Sequence, residues 1–403
     1  SESISNSVLL ARQPILDNDL NLYAYELLFR SDLSNESGVT DFNGDLATSQ
    51  VINHIFMEFG IERVIGNKRG FINLTRSFLT GEIPLPFDNK QLVLEILEDI
   101  VVDDEIINAV QSFAAQGFTI ALDDFIYHED LKPLIETAEI IKIDLLALSE
   151  QELIEHVEIL KQEDVKLLAE KVETEEQFQL CKKLGFDYYQ GYFFCKPTII
   201  DDKPLPDNKI AALRLLNSLQ NADISIDEIE SLVSQDVSLS FKLLRCLNSA
   251  SFALPKKVES LRQAVVYLGL KTIKSWATII AFSGIETTTN EVMTTALIRA
   301  KMAEELAPAF NCDRETGFMA GLFSPLDAML NKPMTDLLQM LPMDDTVKEA
   351  LQDFKGDLGK LLLFVVSYEQ GDLAVVPKNI TIAELNRAYL TATEWVNQSE
   401  ALI

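Results

Sequence analysis

Seven polar residues close short apolar runs through the first half of the chain. They are Glu26 in YAYELLFR, Asn73 in GFINL, Glu95 in LVLEI, Asp123 in TIALDD, Lys142 in IIKID, Glu170 in KLLAE and Gln190 in YYQGYFF, with Asp124 directly beside Asp123. Carboxylates, amides and a lysine make an oxygen-rich set suited to hard divalent cations and phosphate, and a paired metal site suits hydrolysis of a phosphodiester. Adjacent acids such as Asp123 and Asp124, once buried, repel unless a cation or proton lies between them. One such residue alone is explained by a strand giving way to a polar loop; the ordered set of seven is not.

Residues this far apart meet only if the fold gathers strand ends, as a (β/α)8 barrel does at its mouth. The apolar runs alternate with helical stretches at 45–59, 103–116, 149–162 and 174–184, the period of βα units. At 197–208 the composition changes to a segment with Pro197, Pro204 and Pro206 among aspartates, which reads as a linker. The expected division is a barrel over residues 1–200 and a helical domain over 201–403, an α/β plus all-α chain. From Ile210 onward the pattern is helix after helix. Ser225 with Glu228, and Ser260 with Gln263, have capping-box spacing, Leu239, Leu243 and Leu247 share a face, and Gly269 can stop a helix.

The 403 residues, 47% of them hydrophobic, suffice for two cores. A formal net charge of -29 opposes binding to a nucleic-acid polymer and reads mainly as a solvated surface. Cys181, Cys195, Cys246 and Cys312 lack metal or redox spacing, so a reduced protein is expected. Neither the N-terminal SESISNSVLL nor any later run has the character of a leader or membrane span, so the expectation is a cytoplasmic protein without a membrane partner.

The first half resembles the EAL domains that hydrolyse or bind cyclic di-GMP. The matching stretches are ELLFR at 26–30, FINL around Asn73, LEILE ending at Glu98, ALDDF ending at Phe125, IKID ending at Asp144, AEKVET at 169–174 and DYYQGYFFCKP ending at Pro197. The resemblance implies that Glu26, Asn73, Glu95 and Asp123 bind one Mg2+ or Mn2+, with Asp123 shared by a second ion that Asp124 and Glu170 also hold. It implies further that Lys142 holds the attacking water, that Gln190 helps position it, and that Glu98, Asp144 and Glu173 support the site. Arg30 offers a fork to a substrate phosphate. Two departures stand out: Ile126-Tyr127-His128 replaces a small Gly-containing loop, and Lys171 replaces a Gly, although a lysine there can simply point to solvent. The spacings from Glu26 to Asn73 and from Lys142 to Glu170 are also short. Ligands retained with turnover lost is one outcome these departures allow.

The second half resembles the HDOD domain through SQDVSLSFKLLRCLNSASFALP, VESLRQAVVYLGL and AGLFSPLDAML. Where the related HD phosphohydrolases carry a metal-binding His-Asp pair, this chain has Ser324-Pro325, and its histidines, His54, His128 and His156, all lie in the first half. Asp236, Asn248, Ser249 and Asp327 read as caps or interhelical hydrogen-bonders, Trp276 and Trp395 as core or domain-interface aromatics, and His128 as an exposed loop residue. The whole resembles EAL-HDOD signalling proteins. The expected function is cyclic di-GMP sensing by the barrel with output to a protein partner through the HDOD half; the alternative is a metal-dependent cyclic di-GMP phosphodiesterase yielding the linear dinucleotide pGpG. The resemblance also raises a homodimer through the barrel, which the altered loop opposes.

Overall fold

The computed structural model describes residues 9–30, 60–85, 91–195, 205, 207–285, 290–341, 343–371, 377 and 379–400. The helix expected at 45–59, His54, most of the linker and the side chain of Arg30 lie outside the described residues. The chain forms two compact units, one of residues 1–196 with 364–390, the other of 197–363 with 391–403.

In the first unit eight strands close a barrel in sequence order: β1 (Leu9–Asp17), β2 (Leu22–Arg30), β3 (Arg69–Leu74), β4 (Leu92–Ile96), β5 (Thr119–Leu122), β6 (Ile140–Asp144), β7 (Lys166–Glu170) and β8 (Tyr188–Gln190). Strands β2 to β8 run parallel, but β1 is antiparallel to both neighbours, β2 and β8. The reason is local. A tight turn follows Asp17, whose carboxylate accepts from the backbone of Asp19 and Asn21, and so short a connection permits only a hairpin.

The barrel interior is apolar to its centre. Ile15, Ala24, Phe71, Val93, Ala121, Ile140, Leu168 and Tyr188, one from each strand, form a buried cluster. Outer helices cover the strands through four-residue stripes: Ile106 and Val110 on Asp104–Ala115, Leu153 and Val157 on Glu150–Leu160. Asp103 caps the first of these helices, and Ser149 and Glu152 form a reciprocal capping box on the second.

Along β1, strand β8 reaches only Ile15 to Asp17, so among the described residues the earlier part of β1 has no strand on that side. Residues 364–390 satisfy it instead. Tyr368 donates its hydroxyl to the Leu10 carbonyl at 2.6 Å, Asn386 Oδ1 accepts from Leu10 N–H, and the Tyr389 hydroxyl accepts from Arg12 N–H, each at 3.0 Å. An exposed strand edge is thereby blunted by side chains from the far end of the sequence.

In the helical unit Ser225 and Glu228 form the expected capping box, and Asp236 caps Val237–Leu247. Ser260 caps its helix too, but Gln263 reaches back to the Glu259 N–H rather than to Ser260. Asn248 makes the expected tertiary link, exchanging two hydrogen bonds with the backbone of Val258. Trp276 and Trp395 lie 5.8 Å apart in this unit's core. Gly321 is required by close packing, since a Cβ there would lie 2.5 Å from the Arg299 carbonyl.

Tyr368→Phe and Tyr389→Phe each delete a buried hydroxyl bonded to β1. Each should lower unfolding free energy by about 1 kcal/mol in urea titration, and a fragment ending at residue 200 should lack the cooperative transition of the full chain. A fragment that melts as cooperatively as the full chain would show that β1 does not need residues 364–390.

Candidate metal centre

The alternation of a β-strand turns every second side chain to the same face. Two residues beyond the apolar ring members Ala24, Phe71, Val93, Ala121, Ile140, Leu168 and Tyr188 stand Glu26, Asn73, Glu95, Asp123, Lys142, Glu170 and Gln190. All seven expected residues therefore form the next inward layer, above the ring. An eighth was missed. Because β1 runs the other way, its member of this layer lies two residues before Ile15; it is Gln13, whose side chain accepts from Gln190 Nε2 at 2.9 Å. Reading the hairpin after Asp17 as a reversal of direction would have found it.

At the middle of the layer is Lys142, fully buried. Its ammonium lies 2.7 Å from Glu170 Oε1, 3.4 Å from Glu26 Oε2 and 3.6 Å from Asp123 Oδ1, and it donates directly to Glu95 Oε1. Oxygens of Glu26, Glu95 and Glu170 all lie within 4.8 Å of one another. Gln190 Nε2 donates to Glu26 Oε2 at 2.5 Å, and Asn73 Nδ2 approaches Glu26 Oε1 at 3.5 Å.

Four carboxylates around one ammonium leave negative charge uncompensated in a buried site. Burial first, and then the neighbouring acids, push Glu95 well above the usual carboxylate range against the pull of Lys142. Burial likewise raises Glu170 to about 8, opposed by Lys142 and aided by Asp123 and Glu26. For Lys142 burial is the largest single influence and works against its charge, but the surrounding carboxylates together hold its pKa well above the ordinary value. The layer is thus short of positive charge.

The donor set fits a divalent cation by a second test. Asn73 Oδ1, Glu95 Oε2, Asp123 Oδ1 and Gln190 Oε1 are buried without a hydrogen-bond partner among the described residues. Buried acceptors without donors are costly, and oxygens in this number are what Mg2+, Mn2+ or Ca2+ requires.

The remaining expected residues lie around this core. Asp124, at φ 45°, is not part of the three-glutamate group and accepts from Asp144 N–H at 3.5 Å; burial raises its pKa, with Asp144 and Asp123 adding to the shift. Asp144 bonds Leu146 N–H and the ammonium of Lys171. Lys171 does not simply point to solvent. It holds φ 55°, the left-handed conformation that favours glycine, and its side chain is tied to Asp144 directly after Glu170. Gly191 closes the same corner, where a Cβ would lie 2.0 Å from the Val172 carbonyl. Glu98 is partly buried near Asp123, and burial raises its pKa. Glu173 is exposed at a helix start and is not brought into the cluster. In the altered loop Ile126 is 70% exposed, and His128, also exposed, accepts from Asp130 N–H through Nδ1 at 3.3 Å.

Residues 3–197 match the EAL domain and residues 205–341 the HDOD domain. Over 401 residues the chain is 33% identical to the uncharacterized protein YuxH of Bacillus subtilis (strain 168), covering 96% of this chain and 98% of that protein. The chain belongs to the EAL-HDOD family. It is also 32% identical over 412 residues to the cyclic di-GMP phosphodiesterase CdgJ of Vibrio cholerae serotype O1, covering 100% of this chain and 95% of CdgJ. A solved EAL structure, the PaMucR phosphodiesterase in complex with c-di-GMP, covers 51% of this chain and 99% of its own at 19% identity and a TM-score of 0.39, too low to bear on function. The EAL barrel thus carries its carboxylates on a family scaffold, and in the HDOD half Ser324 Oγ accepts from Arg299 Nη1 at 3.2 Å. Among the described residues no helix is long and apolar enough to cross a membrane.

Lys142→Met should destabilise the metal-free protein by about 3–5 kcal/mol, because it strands buried carboxylates. Urea titration in EDTA measures this, and added Mn2+ should recover part of the loss. Glu173→Ala, outside the cluster, should stay within about 0.5 kcal/mol of the parent.

Proposed function

We propose that this chain is a cyclic di-GMP signalling protein whose EAL barrel opens the cyclic dinucleotide to its linear form and whose HDOD half is the output module, acting on a protein partner. The observation that carries the reading is the set of buried, donorless oxygens in the strand-end layer. The whole-length similarity to CdgJ supports the choice of substrate.

A divalent cation such as Mg2+ or Mn2+, held by Glu26, Asn73, Glu95, Asp123 and Glu170, would neutralise phosphate charge and make water acidic enough to attack near neutral pH. The protein's own residues supply the rest. Lys142, reaching toward four carboxylates, is placed to donate to the attacking water. Gln190, fixed between Gln13 and Glu26, orients it. Asp124 stands ready for a second cation on the Asp144 side, and the Lys171–Asp144 tie holds the backbone corner that aims Glu170. Arg30, the last residue of β2, is the candidate for a substrate phosphate.

A second reading, binding without turnover, is favoured by the loop at Ile126 and by the strained Lys171. Both sit beside the acids that a second cation would need.

With Mg2+ or Mn2+ the purified protein should convert cyclic di-GMP to pGpG, read by chromatography. Glu26→Ala, Asp123→Ala and Glu170→Ala should each abolish conversion. Lys142→Ala should cut turnover by about 100-fold or more while changing nucleotide affinity far less. Nucleotide binding without conversion by the parent protein would establish the receptor reading, and wild-type rates in all three carboxylate variants would remove the assigned site.

A further inference from the structure

Between residues 237 and 275 the chain carries seven lysines and arginines against one acid, Glu259, within a protein of formal net charge -29. The same stretch exposes large apolar side chains: Val237 at 82%, Phe241 at 66% and Val266 at 81%. Val237, Phe241 and Arg245 follow at four-residue steps on the exposed face of Val237–Leu247, opposite the buried Leu239 and Leu243. Arg245 lies 6.0 Å from the centre of the Phe241 ring. Leu261–Leu268 repeats the combination, with Arg262 one turn before Val266.

These two helices pack on the same neighbours, Ile226–Ser234 and Leu270–Ser283. The Asn248–Val258 hydrogen bonds clamp the connecting loop, and with it Lys256 and Lys257, to the end of Val237–Leu247. Arg262 is neutralised by Asp227 and Glu230. Lys242, Arg245, Lys256 and Lys257 have no ion-pair partner among the described residues.

We propose that this face of the HDOD half docks an acidic amphipathic segment of a partner protein. Apolar side chains of the segment cover Val237, Phe241 and Val266, and its carboxylates meet Lys242, Arg245, Lys256 and Lys257. The charge sign selects an acidic partner, and the exposed apolar groups call for one that brings apolar side chains of its own, which an acidic amphipathic peptide supplies and a nucleic-acid backbone does not. The proposal gives chemistry to the output role assigned above and rests on that assignment, but not on turnover in the barrel.

The test uses the full-length protein and a fluorescein-labelled helical peptide rich in glutamate, with leucine and phenylalanine spaced i, i+3, i+4 and i+7. Anisotropy should show saturable binding that weakens at least about 10-fold in Phe241→Glu and in Lys256→Glu/Lys257→Glu, and again when salt is raised to about 0.5 M. The variants should melt like the parent and keep its cyclic di-GMP affinity, so a defect here is separable from a defect in the barrel. No peptide binding, equal binding by parent and variants, or tighter binding of a single-stranded oligonucleotide or of vesicles with anionic lipid would overturn the proposal.

Discussion

The ammonium of Lys142, sealed inside the barrel among Glu26, Glu95, Asp123 and Glu170, sets the terms for everything around it. Burial, reinforced by the neighbouring acids, raises the pKa values of Glu95 and Glu170 above the ordinary carboxylate range, and the single positive charge of Lys142 does not offset it. Such a cluster survives only because the strands beneath it are packed tightly enough to hold it. The apolar ring one layer below supplies that support with a side chain from every strand. A cation entering the layer replaces protons and fills oxygens that otherwise lack donors, so occupation and stability are linked.

The geometry also explains how chemistry and fold are divided along each strand. One position packs, and the position two residues on binds. The rule holds for seven strands in the forward sense and for β1 in reverse, which places Gln13 against Gln190. The backbone strain is placed with similar economy. Asp124 and Lys171 take left-handed conformations at the two corners that flank Asp144, and the Lys171–Asp144 pair offsets part of that cost.

Much of this was legible in sequence because strand ends and helix caps are local signals. The seven layer residues and the capping box at Ser225 required no tertiary information. Gln13 was hidden by the direction of β1, a matter of topology. The tie between Lys171 and Asp144 was hidden because a lysine's reach is set by its surroundings, not by its neighbours in the chain. Least legible was the company of residues 364–390 with the barrel. A boundary near 200 follows from composition, but the unpaired edge of β1 at Leu10 and Arg12 recruits Tyr368, Asn386 and Tyr389 across more than 350 residues of sequence. In Leu261–Leu268, Gln263 chose Glu259 over Ser260, a difference of one residue that spacing alone cannot decide.

The central claim is that the strand-end layer is a divalent-cation centre. Anomalous diffraction from crystals grown with Mn2+ and cyclic di-GMP tests it most directly. The account predicts a manganese peak bounded by Glu26, Asn73, Glu95, Asp123 and Glu170, with the dinucleotide phosphate beside it. A layer with no anomalous peak, and Lys142 still paired to all four carboxylates, would contradict it.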